Sequence, residues 1–297
     1  MKFTGIFVII LLMLVIPSAT AQEISIAEKA NQKSVIVTIN EAGDIHVIHT
    51  VSSSNSPKQV ELIDGEIQNL IITDEEGEEK MITKIGNNDA VMIFPSSSDS
   101  IIEYDLKDVL FLKDNLWTLD FLYLETTSFI LPEELDLIFV NDRPVYLGDK
   151  KGFTCHGCQV VLKYAFNEPK NIINVNWENQ EFDVEMQTFA DIENFKFDQP
   201  TKEISFDVKD SNQHITTIIP LELLWGPYVV SLNDEKILFQ DYENNGTHVW
   251  INMKPNAIGK ISIIGTTVVP EFPIIAPLAI GFLMIMMVPL IRKFNLH

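Results

Sequence analysis

The chain has 297 residues, 46% hydrophobic and 21% charged, with 42 acids against 21 bases and a formal net charge of -21. This is the composition of a globular chain of about two domains rather than a disordered one. So negative a surface excludes tracking of nucleic-acid phosphates and repels anionic headgroups. It keeps the chain soluble and attracts cations and basic partners.

In chain order, Lys2 precedes an unbroken apolar run from Ile6 to Ile16, then Pro17, Ser18 and Ala19-Thr20-Ala21. A basic start, a short apolar stretch and an A-x-A triplet make a secretory signal peptide over 1–21, with cleavage between Ala21 and Gln22. Period-two alternation then dominates residues 22–168. Ser34–Ile39 and Ile45–Val51 read as strands around the turn Glu41-Ala42-Gly43-Asp44. Further strands are expected near 67–73, 80–85, 90–94, 101–106, 116–124 and 135–140. No window shows a helical apolar stripe, so these strands imply a sandwich or barrel.

A break at Asn167-Glu168-Pro169-Lys170-Asn171 opens a second module, 171–268. Its expected strands include Glu203–Val208, Ile215–Ile219, Tyr228–Leu232, Lys236–Gln240, Thr247–Met253 and Lys260–Ile264. Pro220 to Trp225 reads as one helical turn, and Asn233-Asp234 as a hairpin turn. About nine strands suit a sandwich. The sequon Asn245-Gly246-Thr247 falls in a loop between strands, so Asn245 is a candidate glycosylation site.

Residues 270–297 begin with Pro270-Glu271-Phe272-Pro273 and continue with an uncharged run from Ile274 to Ile291, then Arg292-Lys293. About 20 apolar residues reach ~30 Å as a helix, enough to cross a hydrocarbon core. The basic pair acts as a stop and puts the C-terminus on the cytoplasmic side.

Chemistry concentrates in Thr154-Cys155-His156-Gly157-Cys158, which holds the only two cysteines. Three readings are open. An oxidising compartment favours a disulfide across the His-Gly turn. Two thiolates with His156, or with a remote His46, His49 or His214, would suit copper or zinc. A redox pair would want Cys155 at a helix N-terminus, whereas Gln159–Tyr164 reads as a strand.

His46 and His49 are three apart on a strand, so they face opposite sides and cannot chelate one ion together. Asp74-Glu75-Glu76-Gly77-Glu78-Glu79 reads as a solvated hairpin tip that discourages edge pairing, rather than a calcium loop. Trp117, Trp177, Trp225 and Trp250 are expected in the core rather than on a carbohydrate platform. No nucleophile elbow, zinc-protease, P-loop or dinucleotide motif occurs, so no catalytic residue is assigned.

Two resemblances add to this. Pro270-Glu271-Phe272, the apolar span and the terminal basic pair resemble the PEF-CTERM sorting tails of archaeal surface proteins. The commonest version has Gly where this chain has Pro273. The resemblance implies an archaeosortase that cuts near the motif and transfers the protein to a lipid-type anchor. The order Phe195-Lys196-Phe197-Asp198, Lys202-Glu203-Ile204-Ser205-Phe206, Ile219-Pro220, Leu223-Leu224 and Ile263-Ile264-Gly265-Thr266-Thr267 resembles the β-sandwich module before the tail in archaeal, especially thaumarchaeal, surface proteins. It implies surface location and brings no catalytic residues. The expectation is therefore an all-β chain of two tandem Ig-like β-sandwich domains with a C-terminal transmembrane helix. It would be a membrane-tethered extracellular envelope protein, structural or adhesive, with other envelope proteins as partners and no nucleic acid. The alternative is a surface metal-binding or redox protein using Cys155, His156 and Cys158.

Overall fold

The computed structural model describes residues 27–265, apart from Asn88 and Asp114. The expected signal segment with Ala21 and Gln22, the motif Pro270-Glu271-Phe272, the apolar run, and Arg292 and Lys293 lie outside the described residues. Among the described residues no helix is long and apolar enough to cross a membrane. The fold is all-β, with several sheets and no helix among those residues.

The early strands are β1 (Glu28–Lys29), β2 (Gln32–Ile39), β3 (Ile45–Val51), β4 (Lys58–Glu61), β5 (Glu66–Asp74), β6 (Thr83–Ile85), β7 (Ala90–Ile93) and β8 (Ser100–Lys107). Next come β9 (Leu110–Lys113), β10 (Leu116–Tyr123), β11 (Thr127–Ile130), β12 (Leu137–Val140), β13 (Arg143–Tyr146), β14 (Gly152–Cys155) and β15 (Cys158–Tyr164). The last ten are β16 (Lys170–Trp177), β17 (Gln180–Thr188), β18 (Ile192–Asp198), β19 (Glu203–Val208), β20 (Ile215–Pro220), β21 (Val229–Leu232), β22 (Glu235–Lys236), β23 (Phe239–Asn244), β24 (His248–Met253) and β25 (Gly259–Ile264).

The described residues form two compact units, one of those up to Val37 with His46–Leu106, the other of Thr38–Ile45 with those from Lys107 on. In the first, β1-β4-β7-β6 form one sheet, and β2, β3, β8 and β5 follow in that order in another. Burial alternates along β3 and β8, as period-two side chains require of half-buried strands.

In the second unit, β13-β12-β15-β10-β9 form a five-stranded sheet, and β11 pairs antiparallel with β14. The strands after residue 169 build two more five-stranded sheets, β16-β17-β20-β24-β23 and β18-β19-β25-β21-β22. Val184, Met186 and Ile251 of the first and Ile204, Phe206 and Ile263 of the second belong to one core cluster. Each such side chain contributes about 1.5–3 kcal/mol through burial, so the shared core holds the two sheets face to face.

Turn chemistry sets the registers. Asn141-Asp142, Glu178-Asn179 and Asn233-Asp234 each form a two-residue hairpin with both residues at positive φ. That conformation matches strand twist and, glycine aside, is tolerated best by Asn and Asp. The Asn233-Asp234 hairpin is where the sequence places it. Pro220–Trp225 makes a single turn in which Leu224 N donates to Pro220 O at 3.1 Å. Residues 165–169, where a domain boundary is expected, carry no strand.

Candidate functional site

The cysteine cluster lies where the chain changes sheets. After β10, residues 124–126 carry the chain to β11, and residues 156–157 carry it from β14 back to β15. The registers Thr127↔Cys155 and Tyr123↔Cys158 set these two crossings side by side. A Cys155–Cys158 disulfide closes the return, joining the last residue of one strand to the first of the next. Gly157 supplies the positive φ that a two-residue crossing needs. Thr126 Oγ1 and His156 Nδ1 share a 2.7 Å hydrogen bond that ties one crossing to the other.

The packing beneath is tight. The Phe129 ring stacks on Phe153 and meets Phe121 edge-on, each at 4.8 Å between centroids. A Cβ on Gly152 would stand 1.8 Å from Phe129 O, so only glycine fits. Of the three sequence readings, this geometry is the disulfide. Both sulfurs are bonded to each other, so neither is a thiolate for copper or zinc, and no helix start lies beneath Cys155 to favour a redox pair. Cys158 is buried and His156 exposed. Among the described residues no three His, Cys, Asp or Glu side chains are grouped to hold a metal ion.

The remote histidines sit in networks of their own. On β3, His46 is half-exposed and pairs with Asp105 at 2.9 Å, while His49 is buried, so the two do face opposite sides. His49 Nδ1 donates to Gln32 Oε1 at 2.6 Å, which leaves Nε2 to accept from Tyr104 Oη at 2.9 Å. Tyr104 Oη in turn accepts from Ile63 N at 2.9 Å. This network needs the neutral imidazole, and burial pushes the His49 pKa down to about 4.

His214 precedes β20, and its ring stacks on Phe139 of β12 with centroids 3.8 Å apart. Its Nδ1 donates to Asn252 Oδ1 at 3.2 Å, while Asn252 Nδ2 donates to Thr216 Oγ1 at 2.9 Å. Nε2 lies 3.6 Å from Asp142 Oδ1, too far for a hydrogen bond. Burial works to raise the Asp142 carboxyl. Hydrogen bonds from Lys163 at 2.6 Å and Lys254 at 3.0 Å outweigh it and hold the group below the usual carboxylate range. Burial dominates at His214 and lowers its pKa to about 4, outweighing the pull of Asn252 and Asp142 toward the protonated form, while Lys254 opposes the proton. Beside this joint, burial lifts the half-buried Glu168 carboxyl to about 7 against the pull of Lys170.

The tryptophans correct the sequence reading, for none of the four is buried. Trp117, Trp177 and Trp250 are half-buried, and Trp225 is 44% exposed. Trp177 does pack on the edge of the second unit's core. Apolar neighbours in sequence misled because alternate strand residues point outward, and Trp225 lies in a loop with no inward face. It borders a cleft of about 360 Å³ with Tyr228, Asp241, Tyr242, Glu243 and Asn244. Sequence reasoning passed over this cleft. The signals were an aromatic-Gly-Pro-aromatic loop, Trp225-Gly226-Pro227-Tyr228, and a strand carrying Asp241-Tyr242-Glu243 where alternation fails.

Asn245 is exposed in the loop between β23 and β24, as expected of a sequon. Its Oδ1 accepts from Thr247 N at 3.0 Å and Thr247 Oγ1 at 2.9 Å. The acidic segment 74–79 is an exposed hairpin tip closed by Asp74 Oδ1, which accepts from Glu76 N and Glu78 N. No protein-family model matches the chain, and no curated protein matches it either. Chemically, the described residues offer a pinned sheet crossing, two neutral-histidine networks and one aromatic, acidic cleft.

Proposed function

We propose that the chain is an exported envelope protein, held at the outer face of a membrane by its C-terminal segment, with a binding or structural role and no catalytic one. The observation that carries this is the Cys155–Cys158 disulfide at a sheet crossing, in a chain with no other cysteine. Disulfides persist in oxidising compartments, and the signal-type start at 1–21 directs the chain to one. The run from Ile274 to Ile291 with Arg292-Lys293 supports the tether, and the PEF-CTERM resemblance points to an archaeal cell surface and to processing by an archaeosortase.

In this reading the shared core beyond residue 169 is a β-sandwich of Ig-like type, and the strands before residue 168 make a second one. The acidic surface keeps neighbouring copies apart, and Asn245 carries a glycan. The test is the mass and topology of the native protein. Expected are an N-terminus at Gln22, a membrane fraction that releases the ectodomain when intact cells are treated with protease, and a mass two hydrogens lighter than the dithiol. A chain that begins at Met1 with two free thiols in the soluble fraction would overturn the proposal.

A further inference from the structure

We propose that the cleft between the Trp225–Tyr228 loop and β23 binds an organic ammonium cation, such as a lysine side chain or a polyamine amine. The cleft, about 360 Å³, falls in the range of small-ligand sites. One wall is aromatic and pre-set. Tyr228 Oη donates to Leu224 O at 2.9 Å, and a Cβ on Gly226 would stand 2.9 Å from Tyr228 Cε2, so the ring lies flat on the Gly226 backbone. At the other side of the loop, a Cβ on Gly265 would meet Trp225 O at 2.5 Å. Trp225 thus keeps a fixed backbone while its ring stays exposed.

The opposite wall is acidic because the ladder is broken there. Asp241 pairs with Ile251 and Glu243 with Trp250, so Tyr242 is an extra residue, a bulge in β23. Bulges re-aim side chains, and this one brings Asp241, Tyr242, Glu243 and Asn244 all to the cleft instead of alternate residues. Asp241 and Glu243 form no ion pair with any described residue. Both bear electrostatically on tyrosines, Asp241 on Tyr228 and Glu243 on Tyr242. Two unanswered carboxylates beside aromatic faces favour a positive, partly apolar guest, held by charge and by the ring quadrupoles. Two carboxylates are too few for calcium, which takes six to eight oxygens, and no metal-holding group occurs among the described residues.

The assignment deepens the binding role proposed above by naming a ligand class. It can fail while that role stands, since binding by the purified chain does not depend on where the chain resides. The experiment titrates the full chain, in a polyoxyethylene detergent, with N-acetyl-lysine methylamide while following tryptophan fluorescence. Expected is saturable quenching, absent with the uncharged Nε-acetyl analogue and with a neutral oligosaccharide. Asp241→Asn with Glu243→Gln abolishes it, and Trp225→Ala weakens binding about tenfold. Glu75→Gln with Glu76→Gln removes as much charge from the hairpin tip of the first unit and leaves binding unchanged. The cleft residues are at the surface, so a thermal midpoint like that of the parent shows the variants folded. No saturation, equal loss in the hairpin variant, or preference for the oligosaccharide would overturn the assignment.

Discussion

Replacing His214 by Gln should flatten the response of the second unit to acid. The imidazole is buried and held at about 4 in the fold, against 6.5 when solvated. As pH falls through 6.5 the unfolded chain takes up this proton while the folded chain does not. The stability His214 contributes is therefore whole above 6.5 and drains away as pH falls toward 4. The full shift corresponds to ~3 kcal/mol, of which ~2 kcal/mol is lost between pH 7 and 5. Gln cannot titrate, and its amide retains one hydrogen bond toward Asn252. The variant should be ~1–3 kcal/mol less stable at pH 7, through the lost stacking on Phe139 and imperfect hydrogen bonding.

Urea unfolding followed by tryptophan fluorescence is the assay, because Trp117, Trp177, Trp225 and Trp250 all lie in the second unit. The difference between parent and variant should shrink by ~2 kcal/mol from pH 7 to pH 5. Parallel losses in the two proteins would refute the reasoning, for they would mean that His214 is protonated in the fold over this range, with Asp142 as its true partner.

Glu168→Gln should act with the opposite sign. Its carboxyl is raised to about 7, so its contribution is whole below 4.5 and lost as pH rises through 7; the variant should gain ~3 kcal/mol at pH 8 and almost nothing at pH 4, read from the same urea midpoints. Gly152→Ala should cost ~3 kcal/mol or more, because the new methyl meets a backbone oxygen that cannot move without parting β11 from β14. Gly246→Ala, at positive φ but with nothing within 4 Å, should cost only ~1 kcal/mol, and equal midpoints for the two variants would show that the contact at Phe129 O is not what excludes a side chain at 152.

The strands were legible wherever one face is buried. Ile45–Val51 alternates perfectly in burial, and its boundaries match the sequence reading. Short edge strands were not legible: β9 buries little of its surface, and β4, β13 and β14 are too short for alternation to stand out. Cys155 and Cys158 announced their disulfide, but nothing local says that the strands they end belong to different sheets. That depends on β10 and β11, some thirty residues upstream. The cleft was hidden for a related reason. Alternation assigns Asp241 and Glu243 to one face and Tyr242 to the other, and only the register against β24 reveals the bulge that unites them.

Glu168 and His214 both belong to the second unit, and their opposite shifts have a physical consequence. The hairpin Asn141-Asp142 is pinned when Val161 N donates to Asn141 Oδ1 at 2.8 Å, and this places Asp142 beside Lys254 and His214. The next strand, β13, carries Tyr146, which with Glu168 bears electrostatically on the half-buried Tyr242. Between pH 7 and 5 His214 removes ~2 kcal/mol while protonation of Glu168 restores ~2 kcal/mol, so the two nearly cancel. The lowered base alone would make this region acid-labile, and the raised acid alone would weaken it above neutrality. Together they hold the region at nearly constant strength across the range in which each would otherwise titrate. In the first unit, His49 is lowered by burial and Asp99 by its hydrogen bond from Lys33, and both act to weaken it as pH falls.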